Sequence, residues 1–413
     1  MSYQELLEAR KSRGFEIAKT NHITKNDKGW LVPSQSNGTP YIVQLSDNGD
    51  EPTCNCPDHQ YRKMKCKHIF AVEVIITKEI DEQGIITETK TAKVTYSQDW
   101  IAYDLAQTQQ KELFMQLLRD VSTTIEQPQY TFGRPKLPLT DMVFASALKV
   151  FSTFSLRRFT ADMEVAKERG YINKVPHYTS VGNYMENPDL TPILKKLITV
   201  TSLPLTSIET DFTIDSSGFG TSRFVKWFDH KYGKEKDYRM WVKAHLVCGV
   251  KTNVVTAVEL TMTNEADTKL LPELVVQTAK NFDIKELSGD KAYSSRANME
   301  LINELGAVPY IPFRKNATGR SKGSPIWKKM YHYFEYKHEE FLEHYHKRSN
   351  AETTFHMIKS KFGDSIRSKG EVAQVNEVLL KVLCHNICVV IHEMFELGIE
   401  PNFGSFKSSA TGV

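Results

Sequence analysis

Four side chains between residues 345 and 359 have types and spacing suited to phosphate chemistry: Tyr345, Arg348, Glu352 and Lys359. Each step along an α-helix rotates by about 100°. Offsets of 3, 7 and 14 residues from Tyr345 therefore return to within roughly 60° of the starting direction, so the four share one stripe. One acid, two bases and a tyrosine make an unusual core face. They suit a metal ion beside a phosphate, with the acid on the metal and the bases on a nucleic-acid backbone. A solvent-facing stripe held by helix ion pairs is the plainer alternative. Two aspartates weigh against it. Asp215 follows the apolar run Phe212-Thr-Ile and precedes Ser-Ser-Gly, and Asp290 follows the run 284–287 in Ser-Gly-Asp. Carboxylates at strand ends, next to turns, are where an α/β sheet presents functional groups. Taken singly, each aspartate reads as a turn former or a cap.

A second group lies near the amino end. Cys54, Cys56, Cys66 and His68 form two close pairs, C-x-C and C-x-H, with nine residues between them. Three thiolates and one imidazole supply the ligands of a closed tetrahedral structural zinc site. His59 is a spare ligand in the intervening loop. Together with the apolar helix start Ile-Phe-Ala-Val and the preceding Gly29-Trp30 hairpin, the arrangement resembles the SWIM zinc finger. That resemblance implies binding to DNA or protein. Arg62, Lys63, Lys65 and Lys67 either contact phosphate or form a solvated face.

Basic residues also gather before the signature stripe. No acid occurs between Glu304 and Glu335, whereas Arg314, Lys315, Arg320, Lys322, Lys328 and Lys329 do, beside Trp327, Tyr331 and Tyr333. This reads as a flexible loop that holds a DNA end by phosphate contacts and base stacking, or as a merely solvated one. Lys361, Arg367 and Lys369 add positive charge further on. Asp267 is expected to cap a helix outside the metal site, and His356 to be a packing residue.

The elements that must position these groups can be read from periodicity. Apolar alternation at 29–32 and 41–45 predicts a hairpin across Ser-Asn-Gly-Thr-Pro, and a short helix is expected at 69–74. The polar strand-like sequence ETKTAKVTYS follows. Helices are expected at 105–121, 141–154 and 162–169, with a Pro-rich linker at 127–138. A turn into a helix near Tyr178 is either a helix-turn-helix reader or plain scaffold. From about residue 205 the pattern becomes strand at 212–215, hairpin at 240–250 and 254–260, helix at 267–281, strand at 284–287, helix, and strand at 308–312. Helix dominates from Glu339 onward. Such an order describes an α/β sheet covered by helices.

Bulk properties set the frame. The chain has 413 residues, enough for two or three domains, and its apolar and charged fractions of 40% and 25% are ordinary for a globular protein. A net charge of +3 is too small to argue for nucleic acid by itself. The most apolar long stretch, 372–397, is broken by Asn376, Glu377, Lys381, His385, Asn386, His392 and Glu393, so it reads as a buried helix and no membrane span is expected. The charged opening stretch lacks an apolar signal region. Three of six cysteines lie within thirteen residues, which fits a reducing, cytosolic setting.

Asp215, Asp290 and Glu352, with Tyr345, Arg348 and Lys359, resemble the catalytic core of insertion-sequence DDE transposases of the Y-R-E-K class. The resemblance covers residues from about 205 to 395. It implies an RNase H-like mixed sheet flanked by helices, and catalysis by two Mg2+ or Mn2+ ions on the three carboxylates. It further implies DNA cleavage and strand transfer, with transposon ends and target DNA as partners, and a homodimer in the DNA complex, at the nucleoid in a prokaryote. Arg348, Lys359 and Tyr345 would hold DNA, as would Arg314, Lys315, Arg320 and Lys322. The interval between Asp290 and Glu352 leaves no room for the large β-rich insertion of some relatives. The expected division is a zinc finger at 1–95, a mainly helical region at 96–204 that is a candidate for DNA binding, a catalytic domain at 205–398 and a disordered tail at 399–413. A transposase-derived DNA-binding protein and a nuclease without strand transfer are the alternatives.

Overall fold

The computed structural model describes residues 10, 13–14, 16–18, 23–26, 29–34, 40–45, 52–62, 64–80, 86–90, 99–129, 132, 136–221, 241–262 and 267–403. The expected turn at 36–39, Lys63, parts of the 127–138 linker, the polar stretch at 91–97 and the tail from 404 lie outside these residues. The chain divides into two compact units, Met1–Asp99 and Trp100–Val413.

The first unit holds a four-stranded antiparallel sheet, β1 (Thr24–Asn26), β2 (Gly29–Val32), β3 (Tyr41–Gln44) and β4 (Thr53–Cys54), paired in that order. Trp30, Val32 and Val43 turn inward, as alternation along a strand requires, and pack with Ile69 and Val72. Helices α1 (Pro57–Arg62) and α2 (Lys67–Ile75) follow, and β5 (Ile76–Ile80) pairs with β6 (Ile86–Lys90). Pro57 opens α1, where its missing N–H costs nothing.

The second unit begins with five helices: α3 (Trp100–Thr123), α4 (Leu139–Ser152), α5 (Thr160–Glu168), α6 (Tyr178–Met185) and α7 (Leu190–Ser202). Val181 and Met185 of α6 are buried in the same core as Leu194 and Leu197 of α7. Three antiparallel strands come next, β7 (Asp211–Gly220), β8 (Trp241–Gly249) and β9 (Val255–Thr261). Then follow α8 (Leu271–Ala279), β10 (Glu286–Gly289), α9 (Arg296–Glu304), β11 (Val308–Tyr310), α10 (Pro325–Tyr336), α11 (His338–Tyr345), α12 (Ser349–Phe362) and α13 (Glu371–Glu396).

The sheet runs β11-β10-β7-β8-β9, with β10 parallel to both β7 and β11. This mixed sheet, flanked by helices on both faces, is the RNase H-like core. One face packs on α8, α9 and α10 through Phe212, Ile214, Leu274 and Met299. The other packs on α12, α13 and the leading helices through Phe219, Leu246, Phe355 and Leu383.

Helix α13 is long and apolar enough to cross a membrane, yet most of it is buried as the spine of this second core. Its buried asparagines are engaged. Asn376 donates to Met185 O at 2.9 Å and accepts from Thr191 Oγ1 at 2.8 Å. Asn386 accepts from Val255 N at 2.9 Å and donates to Val255 O at 2.7 Å and to Ile198 O at 3.1 Å. Buried amides stay satisfied by stitching helix to sheet, and the alternative of leaving them unpaired is costly. Helices α3 to α7 and the sheet therefore share one core.

Candidate active site

Strand β7 carries Asp215 in its middle and not at its end, which corrects the expectation from sequence. It continues to Gly220 because β8 pairs with it throughout, from Phe212↔Gly249 to Gly220↔Trp241. The parallel neighbour β10 is the strand that stops, its last pair being Gly289↔Ile214. Asp290 thus emerges from the sheet level with Asp215. Gly289 is needed there, since a Cβ would lie 2.8 Å from Ile214 Cγ2. Asp290 then caps a 3-10 turn, accepting from Lys291 N at 2.6 Å.

The signature run is not one uninterrupted α-helix. Tyr345 ends α11, a 3-10 turn spans His346–Arg348, and α12 begins at Ser349. Alternate residues of β7 face this segment. Arg348 Nη2 lies 3.3 Å from Asp215 Oδ2 and 2.9 Å from Glu352 Oε1. Two residues along β7, Ser217 Oγ accepts from Lys359 Nζ at 2.7 Å, and two further on the Phe219 ring sits 5.2 Å from the same ammonium. Ser217 was not foreseen, although its place on Asp215's face follows from strand alternation. Tyr345 is half-buried against the core that holds Phe341. His356 is exposed and so is not a packing residue.

Burial pushes the Asp215 carboxyl above its usual range, against the Ser216 N–H and Arg348, and the charges of Glu352 and Asp290 add to the rise. Desolvation and like charge together make the ionised form costly beyond what Arg348 offsets, as at sites that take up a further cation. Hard carboxylate oxygens are also the donors that a small divalent cation takes. The three carboxylates are not gathered within metal-ligand reach of one another, because Arg348 stands between two of them; the described groups that are gathered so lie elsewhere. Arg348 Nε is buried with no partner, which leaves one donor of its fork for an anion.

Two neighbouring networks gave no sequence signal. Lys347 Nζ bridges Asp211 Oδ2 and Glu286 Oε2 at 2.6 Å each, fixing the 3-10 turn to the starts of β7 and β10. Asp267 caps no helix through its side chain: it pairs with Lys243 and accepts from Ser216 Oγ at 3.4 Å.

The basic loop is pinned and its aromatics turn inward. Trp327 is 5% exposed and donates from Nε1 to Thr318 O at 2.9 Å, so it offers no open face to a base. Arg314, Lys315, Arg320 and Lys322 are exposed. Arg314 Nη2 donates to Ala292 O at 3.3 Å, close in sequence to Asp290.

In the first unit, Cys54, Cys56, Cys66 and His68 are all buried, with their ligand atoms within 4.8 Å of one another. His68 faces the thiols through Nδ1, 3.9 Å from Cys54 Sγ and from Cys66 Sγ. Cys56 is pushed down by hydrogen bonds from Cys54 and Cys66, while Cys54 is pushed up. Three crowded thiols cannot all ionise without a cation, so the donor set fits zinc. His59 is turned away, with Nδ1 2.8 Å from Met64 O. Asp58 of α1 is held by Arg10 at 2.9 Å.

Residues 207–387 match the family model described as Transposase DDE domain, and residues 41–74 match that of the SWIM zinc finger. The chain therefore carries both domains, and these point to action on DNA with divalent-metal chemistry and to zinc. Asp215, Asp290 and Glu352 lie inside the first match and the Cys/His cluster inside the second. No solved structure matches the chain significantly.

Proposed function

We propose, for a chain that carries a transposase DDE domain behind a SWIM zinc finger, that it cuts DNA and joins the freed 3′ end to a target. The observation that carries this reading is Asp215 and Glu352 meeting on Arg348 while Asp290 emerges on the adjacent strand. Asp215, Asp290 and Glu352 would hold Mg2+ or Mn2+. Divalent ions so held would activate a water or 3′-hydroxyl and stabilise the leaving oxygen during in-line displacement at phosphorus.

The remaining work belongs to the chain. Arg348, with an unpartnered Nε, orients a phosphate beside Asp215. Lys359, steadied by Ser217 and Phe219, supplies a second positive charge on the same face. Burial draws its ammonium below the usual range, and an arriving phosphate would restore it. Tyr345 lines the approach for the DNA end. Cys54, Cys56, Cys66 and His68 hold zinc as a closed structural site, separate from the chemistry. Two copies would pair to bring two ends together.

Strand transfer separates this reading from a plain nuclease. A labelled duplex with a pre-cut 3′-hydroxyl end, drawn from the DNA flanking the gene, is incubated with target duplex and Mg2+. The expected product is a covalently joined strand. Cleavage of uncut ends without any joined product would assign a nuclease instead.

A further inference from the structure

We propose that a polar cleft beside Asp290 binds one backbone phosphate of the DNA strand; the proposal rests on the transposase reading and deepens it. The cleft, of about 300 Å³, is lined by Ser294, Arg296, Arg314, Asn316 and Lys322, with Trp327 in its wall. It begins one turn of backbone after the second carboxylate: Tyr293 N donates to Asp290 O at 2.9 Å, and Ser294 N to Lys291 O at 3.2 Å. Three cations line it and no acid does.

Two buried donors on residues that line the cleft have no partner, Ser294 Oγ and Arg296 Nε, and Ser294 is only 9% exposed. Buried donors are almost always paired, so these two call for an acceptor from outside. Arg296 is already fixed in place. Its guanidinium lies 4.4 Å from the Trp327 ring centre, and Nη2 donates to Arg320 O at 3.2 Å. A preset fork loses little freedom when it meets an oxyanion. Ser295 caps α9, so the positive end of that helix adds to the field. Arg296, Arg314 and Lys322 are donors only, and Ser294 and Asn316 can donate as well, which matches a group with acceptor oxygens only. The buried indole leaves no face for a base, so the sugar–phosphate backbone is the part that enters.

The test is fluorescence anisotropy of a short labelled duplex with the zinc-loaded full chain, without Mg2+, across a salt series. Arg296→Gln is expected to weaken binding several-fold and to lower the slope of log K against log salt by about one. Ser294→Ala, which changes no charge, is expected to weaken binding with the slope unchanged. Thermal unfolding checks that each variant folds; should Arg296→Gln fail to fold, Ser294→Ala and Lys322→Gln carry the comparison. Native affinity and slope in the folded variants would overturn the proposal. So would inorganic phosphate binding that Ser294→Ala abolishes while duplex binding stays native, which would assign the cleft to a free anion. Mg2+-dependent cleavage is read separately. A wild-type chain that fails to cleave while the variants lose affinity keeps the cleft and loses the transposase reading.

Discussion

Arg348 joins two acids that would otherwise repel, and its own charge is further entrenched by Asp215, against the cost of burial. Glu352 and its companions were legible because helical offsets survive the short 3-10 turn. Asp215 was legible as a residue but not as a mid-strand position, since pairing with β8 lies far along the chain. Lys347 and Asp267 resemble any charged surface residue until their partners are in place. His385 is the most telling single side chain in α13. Read from sequence, it merely interrupts an apolar stretch. In the fold it is buried and its Nε2 donates to Asn253 O at 2.9 Å. Burial lowers its pKa from 6.5 to about 4. The unfolded chain binds this proton at the higher pH, so the stability is full above pH 6.5 and is lost as the pH falls through 4. The amount is about 3 kcal/mol. Denaturant melts at pH 7 and pH 4 should show a smaller pH-dependent loss for His385→Gln than for wild type. Equal losses would contradict the assignment.

Elements set the geometry in which these residues act. The end of α12 is tied back to the end of β7: Gly220 N donates to Asp364 O at 3.2 Å, and Ile366 N donates to Gly220 O at 2.8 Å. The connection from there to α13 is held from below by a buried ion pair. Glu377 accepts from Arg367 N, Ser368 N and Ser368 Oγ, and Lys381 donates to Gly363 O and Ser365 O at 2.9 Å each. Both side chains are almost fully buried, and burial pulls the Lys381 ammonium down to about 8. Sequence could place neither, because two charged residues four apart on a helix usually mean a solvated pair. Glu377→Ala would strand a buried cation and two N–H groups, at a cost of about 3–5 kcal/mol. Calorimetry should find a melting temperature lower by several degrees. An unchanged melting temperature would show that the pair does not hold this connection.

At the scale of the molecule, strand and helix order from residue 205 was enough to expect an α/β sheet covered by helices, because each element has a clear period; its mixed, RNase H-like form was implied by the family resemblance. The shared core of α3 to α7 with the sheet was not legible, since it rests on amides such as Asn376 and Asn386 meeting distant backbone groups. The first unit depends on its Cys/His cluster, whose four residues form part of a small core. Structural zinc contributes about 10–16 kcal/mol in small fingers. A strong chelator should therefore expose Met1–Asp99 to protease while leaving the Trp100–Val413 unit resistant, and equal resistance of both would remove the structural role. The central claim concerns the second unit and is tested most directly on supercoiled plasmid with Mg2+. Wild type should nick or linearise it, and Asp215→Asn, Asp290→Asn and Glu352→Gln should each abolish cleavage while duplex affinity is kept. Wild-type cleavage by any one of the three variants would contradict the account.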